Sequence, residues 1–482
     1  MLQAIRFAIL LIAILALTPI AANAAPPNIV LILADDLGQG DLGCYNPNSK
    51  IPTPHLDQLA REGMWFTDAH SPSSVCTPTR YALLTGTYAW RSRLKKGVLN
   101  GYDHLLIEPE RTTIAQVLQK GGYRTACIGK WHLGLQAYDE FHPKARTNFE
   151  QALTPGPNSV GFQEYFGIAA SLDMPPYVFI RNDSLTAPLN STINGSKAKR
   201  DGGEGYWREG PLGEGFTHIN VLPELTRESL AYLDRQSNDQ PFFLYVPLTS
   251  PHTPWLATPE WEGKSKAGPY GDFVAMTDDA IGQILARLKQ IGLEENTLVI
   301  VTSDNGAYWR PVDIKQYDHD GANGRRGQKA DIHEGGHRIP LIVKWPGVIA
   351  ANSSSDQTVC LTDLYATLAE TAGLKDSATP RDSVSLLTVL NATAEGPVRD
   401  TTIHHSIDGM FAIRHGDWKL IAGLGSGGFT APKRIEPRPG EATGQLYNLK
   451  EDPAEKVNLW TEHPEIVLEL LGKLNQTRGE EW

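Results

Sequence analysis

Cysteine is scarce in this chain of 482 residues. The four cysteines, Cys44, Cys76, Cys127 and Cys360, are too few for the disulfide framework of a chain this long. Their spacing matches no zinc site. A single disulfide stays open, because the sequence does not show which thiols meet. The placement of Cys76 in a polar loop, two residues before a proline, therefore needs a reason of its own.

The chain also lacks an excess of positive charge. Forty-four Lys and Arg residues stand against 55 Asp and Glu residues, so the formal net charge is −11. This balance argues against a general role in nucleic-acid binding. An anionic substrate would have to be attracted by a local pocket, not by the overall field of the protein.

Long hydrophobic runs are absent after the first 24 residues. Arg6, the apolar stretch 7–17 and the sequence Ala22-Asn23-Ala24 are typical of a secretory signal peptide with its cleavage site. The apolar stretch is short for a bilayer, so an uncleaved membrane anchor is the less favoured alternative. We expect residues 1–24 to be removed and the protein to be exported, periplasmic or secreted, with no membrane span after cleavage.

Strand and helix signals alternate over most of the chain. The continuous apolar run Asn28–Ala34 predicts a strand that is buried on both faces. Capped helical patterns and further apolar runs follow it in turn, at 53–63, 112–122, 123–129, 225–236, 241–248, 278–292, 296–303 and 338–345. The alternation predicts an α/β fold with a large mixed, mostly parallel sheet sandwiched by helices. Residues 140–220, rich in Gly, Pro, Asn and Ser, are predicted to form long loops.

The composition changes again near residues 375–400. Beyond this point the sequence predicts a hairpin that turns at 415–417, another short strand and a terminal helix over 464–476. We therefore predict a catalytic domain over 25–385 and a smaller α+β C-terminal domain over 386–482 that carries an antiparallel sheet.

Polar pairs follow two of the predicted strands. Asp35 and Asp36 come directly after the first strand, and Asp304 and Asn305 come after the strand at 296–303. Ligands of parallel α/β sheets bind beyond the carboxyl ends of strands. Four oxygen donors at such an edge suit Ca²⁺ or Mg²⁺ and not zinc. Each pair alone could be an ordinary turn cap, but the two together favour a metal site.

Three further segments place cations and imidazoles after predicted strands. Lys130 and His132 lie two residues apart, on one side of the chain if it is extended there. His252 lies between two prolines, and Lys329 lies in a basic, glycine-bounded loop. Each could be an ordinary surface or structural residue. Together with Cys76 and Arg80, they would form a site for an anionic ester.

These motifs resemble the type I sulfatase family. Cys76-x-Pro78-x-Arg80 followed by Tyr-Ala-Leu-Leu-Thr-Gly is similar to the first signature of that family, and the segment 122–134 is similar to the second. The Asp-Asp, Pro-His-x-Pro, Asp-Asn-Gly and Gly-x-Lys segments occur in family order. The resemblance extends over essentially the whole chain after residue 24, and it implies an alkaline phosphatase-like fold and the hydrolysis of sulfate monoesters.

The resemblance also implies a modified residue and a metal. A formylglycine-generating enzyme would oxidise Cys76 during maturation, and the hydrated aldehyde would offer one hydroxyl to attack sulfur and a second to release sulfate. One Ca²⁺ per chain would be bound by residue 76 together with Asp35, Asp36, Asp304 and Asn305. The remaining roles would be Arg80 holding the modified residue, Lys130 and Lys329 holding sulfate oxygens, His132 acting as base, and His252 acting as acid, a role that Lys329 could share.

The substrate is open between a sulfated sugar and an aryl sulfate. Polar and basic residues expected near the pocket mouth favour a sugar, although each could be an ordinary surface residue. They are Arg91, Arg93, Lys95, His104, Asp173, His319, Asn323 and His333. Two other functions compete with a sulfatase. One is a phosphatase or phosphodiesterase on the same fold, and the other is a binding protein that has lost catalysis.

Overall fold

A computed structural model describes residues 26–196, 205–374 and 379–479 of the protein. The predicted signal peptide lies outside these ranges. Within them, the helices are all too short or too polar to cross a membrane. All four cysteines are free, so the disulfide that the sequence left open is absent from the described residues.

The strands and helices follow in chain order. The strands are β1 (Asn28–Ala34), β2 (Met64–Phe66), β3 (Ala69–His70), β4 (Arg124–Lys130), β5 (Glu164–Ile168), β6 (Ile180–Arg181), β7 (Ser184–Leu185), β8 (Ser191–Ile193), β9 (Gly210–Leu212), β10 (Phe242–Pro247), β11 (Thr297–Ser303), β12 (Leu341–Lys344), β13 (Ser353–Ser355), β14 (Val359–Cys360), β15 (Thr401–His405), β16 (Phe411–His415), β17 (Trp418–Ile421) and β18 (Gln445–Asn448). The helices are α1 (Pro54–Glu62), α2 (Cys76–Thr85), α3 (Ile114–Lys120), α4 (Val221–Leu233), α5 (Gly268–Gln290), α6 (Pro311–Tyr317), α7 (Glu334–His337), α8 (Asp363–Thr371), α9 (Leu387–Leu390) and α10 (Pro464–Arg478).

A ten-stranded mixed sheet forms the centre of the described residues. Its order is β13-β2-β12-β11-β1-β10-β4-β5-β6-β7. The strands β11, β1, β10, β4 and β5 are all parallel, while β12 runs antiparallel to β11. The predicted large, mostly parallel sheet is therefore confirmed, and β1 lies near its middle because its side chains are apolar on both faces.

Helices cover both faces of this sheet. Ile29, Leu31 and Leu33 of β1 belong to one core, which includes side chains of α2, α3 and α8. Val30 and Ile32, which point to the opposite face, belong to a second core with α1, α4 and α5. The sandwich of helices expected from the alternating pattern is thus present.

The region 140–220 is not made of loops alone. Strand β5 lies in the main sheet, and β6 to β9 also fall in this region. The periodicity is weak because Gly167 interrupts β5, where a side chain would place its Cβ 1.7 Å from Gly129 O. Glycine inside a strand often marks such a close backbone approach. The prediction of long loops was therefore wrong for residues 164–168.

The C-terminal region is a small α+β unit, as predicted. Strands β15, β16, β17 and β18 form an antiparallel sheet, and α10 packs on it through Val467, Leu470 and Leu474. The predicted hairpin is the β16–β17 pair. The boundary at 385/386 stays a prediction.

The C-terminal sheet is hydrogen-bonded to the loop that precedes α2. His405, the last residue of β15, accepts a bond from Ser74 N at 3.1 Å and from the Ser73 hydroxyl at 3.1 Å. This contact supports the segment that leads into Cys76.

Candidate active site

Strands β1 and β11 end side by side and deliver four buried polar residues. Ala34 is paired with Ser303, so Asp35 and Asp36 emerge next to Asp304 and Asn305. The amide of Asn305 donates to Asp36 Oδ1 at 2.7 Å. Asp36 has φ of 71°, a left-handed conformation that non-glycine residues rarely adopt and that is frequent at functional sites. The two polar pairs of the sequence therefore meet, as expected from the strand order.

Helix α2 brings Cys76 and Arg80 to the same place. Cys76 is the first residue of α2, is only 3% exposed, and has its Sγ within 4.8 Å of carboxylate oxygens of Asp35 and Asp304. Arg80, one turn later on the same face, donates from Nε to Asp304 Oδ2 at 2.9 Å and from Nη1 to Lys130 O at 2.9 Å. The spacing of four residues in the motif is thus the spacing of one helical turn.

Two lysines each pair with one aspartate of the cluster. Lys130 Nζ lies 2.6 Å from Asp35 Oδ2, and Lys329 Nζ lies 2.8 Å from Asp36 Oδ2. Burial alone would raise the pKa of Asp35, but Lys130 and its other cationic neighbours hold that pKa well below its usual range. Burial and the nearby charge of Asp35 raise the pKa of Asp304 to about 7. Three carboxylates, of Asp35, Asp36 and Asp304, thus lie against three cations, Arg80, Lys130 and Lys329.

The two predicted histidines both border the cluster. His252 Nε2 lies 3.8 Å from Asp36 Oδ2. His132 donates from Nε2 to Leu99 O at 2.7 Å, so its Nδ1 carries a lone pair. Burial and the charges of Lys130 and Arg80 hold the pKa of His132 well below its usual value. His132 is therefore a neutral imidazole that can accept a proton.

The backbone at His132 is not extended. Its φ is 54°, so the chain turns there and the argument that Lys130 and His132 share one side of an extended segment was wrong. The two residues still act on the same site electrostatically, because Lys130 lowers the pKa of His132.

The donor set fits a hard divalent cation. Asp35 Oδ1 and Asn305 Oδ1 are buried and lack a hydrogen-bond partner within the described ranges. Buried polar atoms of this kind ordinarily have a partner, so both oxygens need an explanation. Carboxylate and amide oxygens are the ligands that Ca²⁺ prefers. A cation at this point would also lower the pKa of Asp304, which burial and the charge of Asp35 raise.

A second buried cluster does not fit a metal. His70, His337 and His404 place ring nitrogens within 4.8 Å of one another, but the rings of His337 and His404 are stacked at 3.9 Å with an angle of 9°. Parallel rings cannot both point a lone pair at one ion. The ammonium of Lys419 also lies 3.0 Å from His337 Nε2. Hydrogen bonds instead connect this histidine cluster, from Asp68 through His70 to His337.

One residue of the site, Ser171, was not predicted from the sequence. Ser171 accepts a bond from Lys130 Nζ at 3.0 Å, and its hydroxyl lies 3.3 Å from His252 Nε2. It follows β5 by three residues, at the same edge of the sheet as the other polar residues. If β5 had been predicted, Ser171 would have been expected at this site, because ligands bind beyond the carboxyl ends of parallel strands.

Four of the residues expected at the pocket mouth contact other parts of the protein. Their partners lie outside the carboxylate cluster, and three of the four are mostly buried. The contacts are Arg91 Nε with Asp382 Oδ2 at 2.7 Å, His319 Nε2 with Asp41 Oδ1 at 2.8 Å, His333 Nε2 with Gln445 Oε1 at 3.2 Å, and the exposed Asn323, whose Nδ2 donates to Tyr45 O at 3.2 Å.

The other residues of that set either make local contacts or carry polar atoms without a partner in the described ranges. Asp173 is two residues after Ser171 and binds Arg208 through Oδ2 at 2.5 Å, while its buried Oδ1 has no partner among the described residues. His104 is buried, and neither of its ring nitrogens has a partner in the described part of the chain. Arg93 donates to His104 O at 2.6 Å, and Lys95 donates to Trp90 O at 2.8 Å.

A parallel α/β sheet with carboxylates, fixed cations and imidazoles at its carboxyl edge defines a hydrolase of anionic esters. The chain belongs to the sulfatase family, whose model, Sulfatase, matches residues 27–374. It is therefore a sulfuric ester hydrolase, and the alternatives of a phosphatase and of a silent binding protein are set aside. The expected alkaline phosphatase-like fold is confirmed.

Three similar proteins illustrate this membership. An N-acetylgalactosamine-6-O-sulfatase of Bacteroides thetaiotaomicron is 33% identical over 93% of this chain and 92% of its own length. Human arylsulfatase A is 33% identical over 92% of this chain and 86% of its own length. A solved Bacteroides thetaiotaomicron protein, described with the metabolism of multiple glycosaminoglycans, has a TM-score of 0.83 and 30% identity, covering 95% of this chain and 100% of its own.

Proposed function

We propose that this protein hydrolyses sulfate monoesters of a sulfated carbohydrate, with a formylglycine derived from Cys76 as nucleophile and one bound Ca²⁺. The observation that carries the proposal is the position of Cys76, within 4.8 Å of the carboxylate oxygens of Asp35 and Asp304. An unmodified thiol is poorly suited to this place, since a buried cysteine beside carboxylates resists ionisation.

The cation would be held by Asp35, Asp36, Asp304, Asn305 and residue 76. Bound there, Ca²⁺ would polarise the sulfate and lower the pKa of a neighbouring hydroxyl. The unpartnered oxygens of Asp35 and Asn305 support this assignment. The aldehyde hydrate would contribute the attacking hydroxyl.

The side chains around Cys76 divide the remaining work. Lys130 and Lys329 hold the oxygens of the sulfate, and their positive charge offsets the charge that develops on them. Arg80 fixes residue 76 from one turn away on α2 and neutralises Asp304. His132 accepts a proton at Nδ1, and His252 or Lys329 donates one to the oxygen of the leaving alcohol.

A carbohydrate is favoured over a simple aryl group by two observations. The relatives named above include an N-acetylgalactosamine-6-O-sulfatase and a protein of glycosaminoglycan metabolism. His104 and Asp173 carry buried polar atoms without a partner among the described residues, and sugar hydroxyls could satisfy them. Five other residues are weaker candidates for binding the sugar, because their polar atoms already contact protein groups. They are Arg91, Arg93, His319, Asn323 and His333.

The test combines turnover with analysis of the Cys76 peptide. We expect protein produced with a formylglycine-generating enzyme to release sulfate from sulfated mono- or disaccharides, to carry an aldehyde at position 76, and to lose activity when Ca²⁺ is chelated. Without that enzyme, the protein should fold and be nearly inactive. The variant Cys44→Ser, at a half-exposed cysteine, is the matched control and should stay active.

Two results would contradict the proposal. Full turnover by protein with an intact Cys76 thiol would show that formylglycine is not the nucleophile. Turnover of synthetic aryl sulfates alone, with none of a panel of sulfated sugars accepted, would show that the substrate is not a carbohydrate.

The pattern of residues 1–24 further leads us to expect export, and mass analysis of the exported protein would show whether cleavage follows Ala24.

A further inference from the structure

The loop that carries Lys329 lies between the carboxylate cluster and the C-terminal region. Lys329 is buried, its Nζ bonds to Asp36, and its backbone N donates to Ala307 O at 2.9 Å. No helix or strand of the described residues includes positions 318–333. The position of this ammonium group therefore depends on contacts from outside its own segment.

Asp331 supplies the first of these contacts. The side chain is fully buried, and its Oδ1 accepts from Phe429 N at 2.8 Å and from Thr430 N at 3.0 Å. Its Oδ2 accepts from the Thr430 hydroxyl at 2.5 Å and from Gln328 N at 3.1 Å. One carboxylate thus joins the residue before Lys329 to a turn of the C-terminal region.

Ala330 supplies the second contact. Its φ is 77°, a left-handed conformation that costs an alanine about 1–2 kcal/mol. Ala330 N donates to Ser74 O at 2.8 Å, and Ala330 O accepts from Ile407 N at 3.1 Å. A strained residue persists only where its surroundings over-determine it. The hydrogen bonds of Ala330 to the loop before Cys76 and to the C-terminal region together hold its backbone in this conformation.

The C-terminal turn also fits closely against the loop. A Cβ on Gly428 would lie 2.3 Å from Ala330 O, so a residue with a side chain could not take its place without a shift. Gln328 Nε2 donates to the Thr430 hydroxyl at 3.2 Å, which adds a second link between the same two segments.

We propose that Asp331, together with the turn at residues 428–430, is a clamp that positions the ammonium of Lys329 for the sulfate group. Asp331 is a positioning residue and not a catalytic one, because its carboxylate contacts only protein donors. The inference rests on the proposed role of Lys329 in binding sulfate. It assigns part of the active-site geometry to the C-terminal region, which contributes none of the proposed catalytic residues.

The variant Asp331→Asn tests this clamp. It keeps the size of the side chain but turns an NH₂ group toward one pair of donors, so at least one of the bonds is lost. With full-length, matured protein we expect the inhibition constant of inorganic sulfate to rise roughly tenfold, a loss of about 1.4 kcal/mol of binding. A purely structural defect would lower the active fraction but would leave that constant unchanged.

A double-mutant cycle shows whether the effect passes through Lys329. In a Lys329→Ala background, Asp331→Asn should change the inhibition constant of sulfate by less than about twofold, since the group that it positions is gone. Thr430→Val removes one donor of the clamp and should also raise the inhibition constant of sulfate. This milder variant tests the clamp if Asp331→Asn does not fold. The exposed Asp417→Asn is the control and should behave as the wild type.

The outcomes separate the two proposals. An unchanged sulfate inhibition constant in Asp331→Asn and Thr430→Val, or an equal rise with and without Lys329, would overturn the clamp. A wild-type protein that releases no sulfate from any ester would overturn the proposed function instead.

Discussion

At the scale of single residues, the hydroxyl of Ser171 joins a cation and an imidazole. It accepts from Lys130 Nζ and lies beside His252, so it helps to fix both side chains relative to the carboxylates. A hydrogen bond to a charged group contributes about 1.5–3 kcal/mol. Removing it should disturb the two groups that we assign to sulfate binding and to the leaving alcohol.

We therefore predict that Ser171→Ala lowers kcat roughly ten- to a hundredfold, the rate equivalent of that free energy. The thermal midpoint should fall as well, because the same hydrogen bond to the buried Lys130 ammonium is lost from the folded protein. Steady-state kinetics on a sulfated disaccharide measure the effect. Ser184→Ala, at an exposed serine of β7, should leave kcat unchanged. A wild-type kcat in Ser171→Ala would show that Lys130 and His252 are held without it.

Residues at the ends of strongly apolar strands could be predicted from the sequence. Asp35, Asp36, Asp304 and Asn305 follow the apolar strands β1 and β11, so their meeting follows from strand order alone. Ser171 could not be predicted, because β5 is short and contains a glycine. The partners of Arg91 and His333 could not be predicted either. These partners, Asp382 and Gln445, lie 291 and 112 residues further along the chain.

At the scale of elements, the junction of β4 and β10 depends on the absence of a side chain. Gly129, in β4 just before Lys130, has φ of 149°, and a Cβ there would lie 1.8 Å from Pro247 O. The contact atom is backbone, so it cannot move aside without moving β10. The close approach of these two strands sets where Lys130 leaves the sheet.

Gly129→Ala should accordingly lower the free energy of unfolding by more than about 3 kcal/mol, or prevent accumulation of folded protein. Thermal denaturation followed by circular dichroism measures the change. Gly396→Ala is the matched control, because a Cβ at Gly396 meets no atom within 4 Å and its backbone is not left-handed. Equal stability of both variants would mean that β4 can move away from β10 without cost.

A second close approach, between β4 and β5, lies at the element that was missed. Gly167 of β5 lies against the backbone oxygen of Gly129 in β4, so the strands come this close because position 167 lacks a side chain. Propensity and periodicity describe side chains, and they carry no signal where a strand is defined by backbone contact. The longer strands β1, β10 and β11 gave a clear apolar pattern and were predicted within one or two residues.

At the scale of the whole molecule, the histidine cluster links three separate elements of the fold. His70 lies in β3, His337 in α7 and His404 in β15 of the C-terminal sheet, and burial lowers the pKa of all three. The charged groups around them are Asp68, Glu334, Arg338, Arg414, Lys419 and Glu455. These imidazoles are neutral in the folded protein and would take up protons on unfolding below pH about 6.5.

Stability should therefore fall as the pH drops below about 6.5. Each histidine lowers the free energy of unfolding by up to about 1.4 kcal/mol for every pH unit below this point, because the unfolded state binds the additional proton. Glu455 and Asp304 act in the opposite direction, since burial raises the pKa of each to about 7, whereas His132, whose pKa is also lowered, acts in the same direction as the three histidines. Melting curves from pH 7.5 to pH 5.5 measure the net effect.

Variants can assign this pH dependence to the cluster. His404→Gln should show a smaller loss of stability between pH 7.5 and pH 5.5 than the wild type. A melting midpoint that does not change with pH would mean that the cluster takes up its protons without unfolding.

The burial of Cys76 sets an order of events in biosynthesis. Cys76 is 3% exposed, at the start of a helix whose residues are all buried, and the C-terminal sheet is hydrogen-bonded to the loop that precedes it. If Cys76 is converted to an aldehyde as proposed, the converting enzyme must reach a nascent, still open chain. Maturation then becomes a kinetic competition between modification and collapse, and conditions that slow folding, such as lower growth temperature, would raise the yield of active molecules.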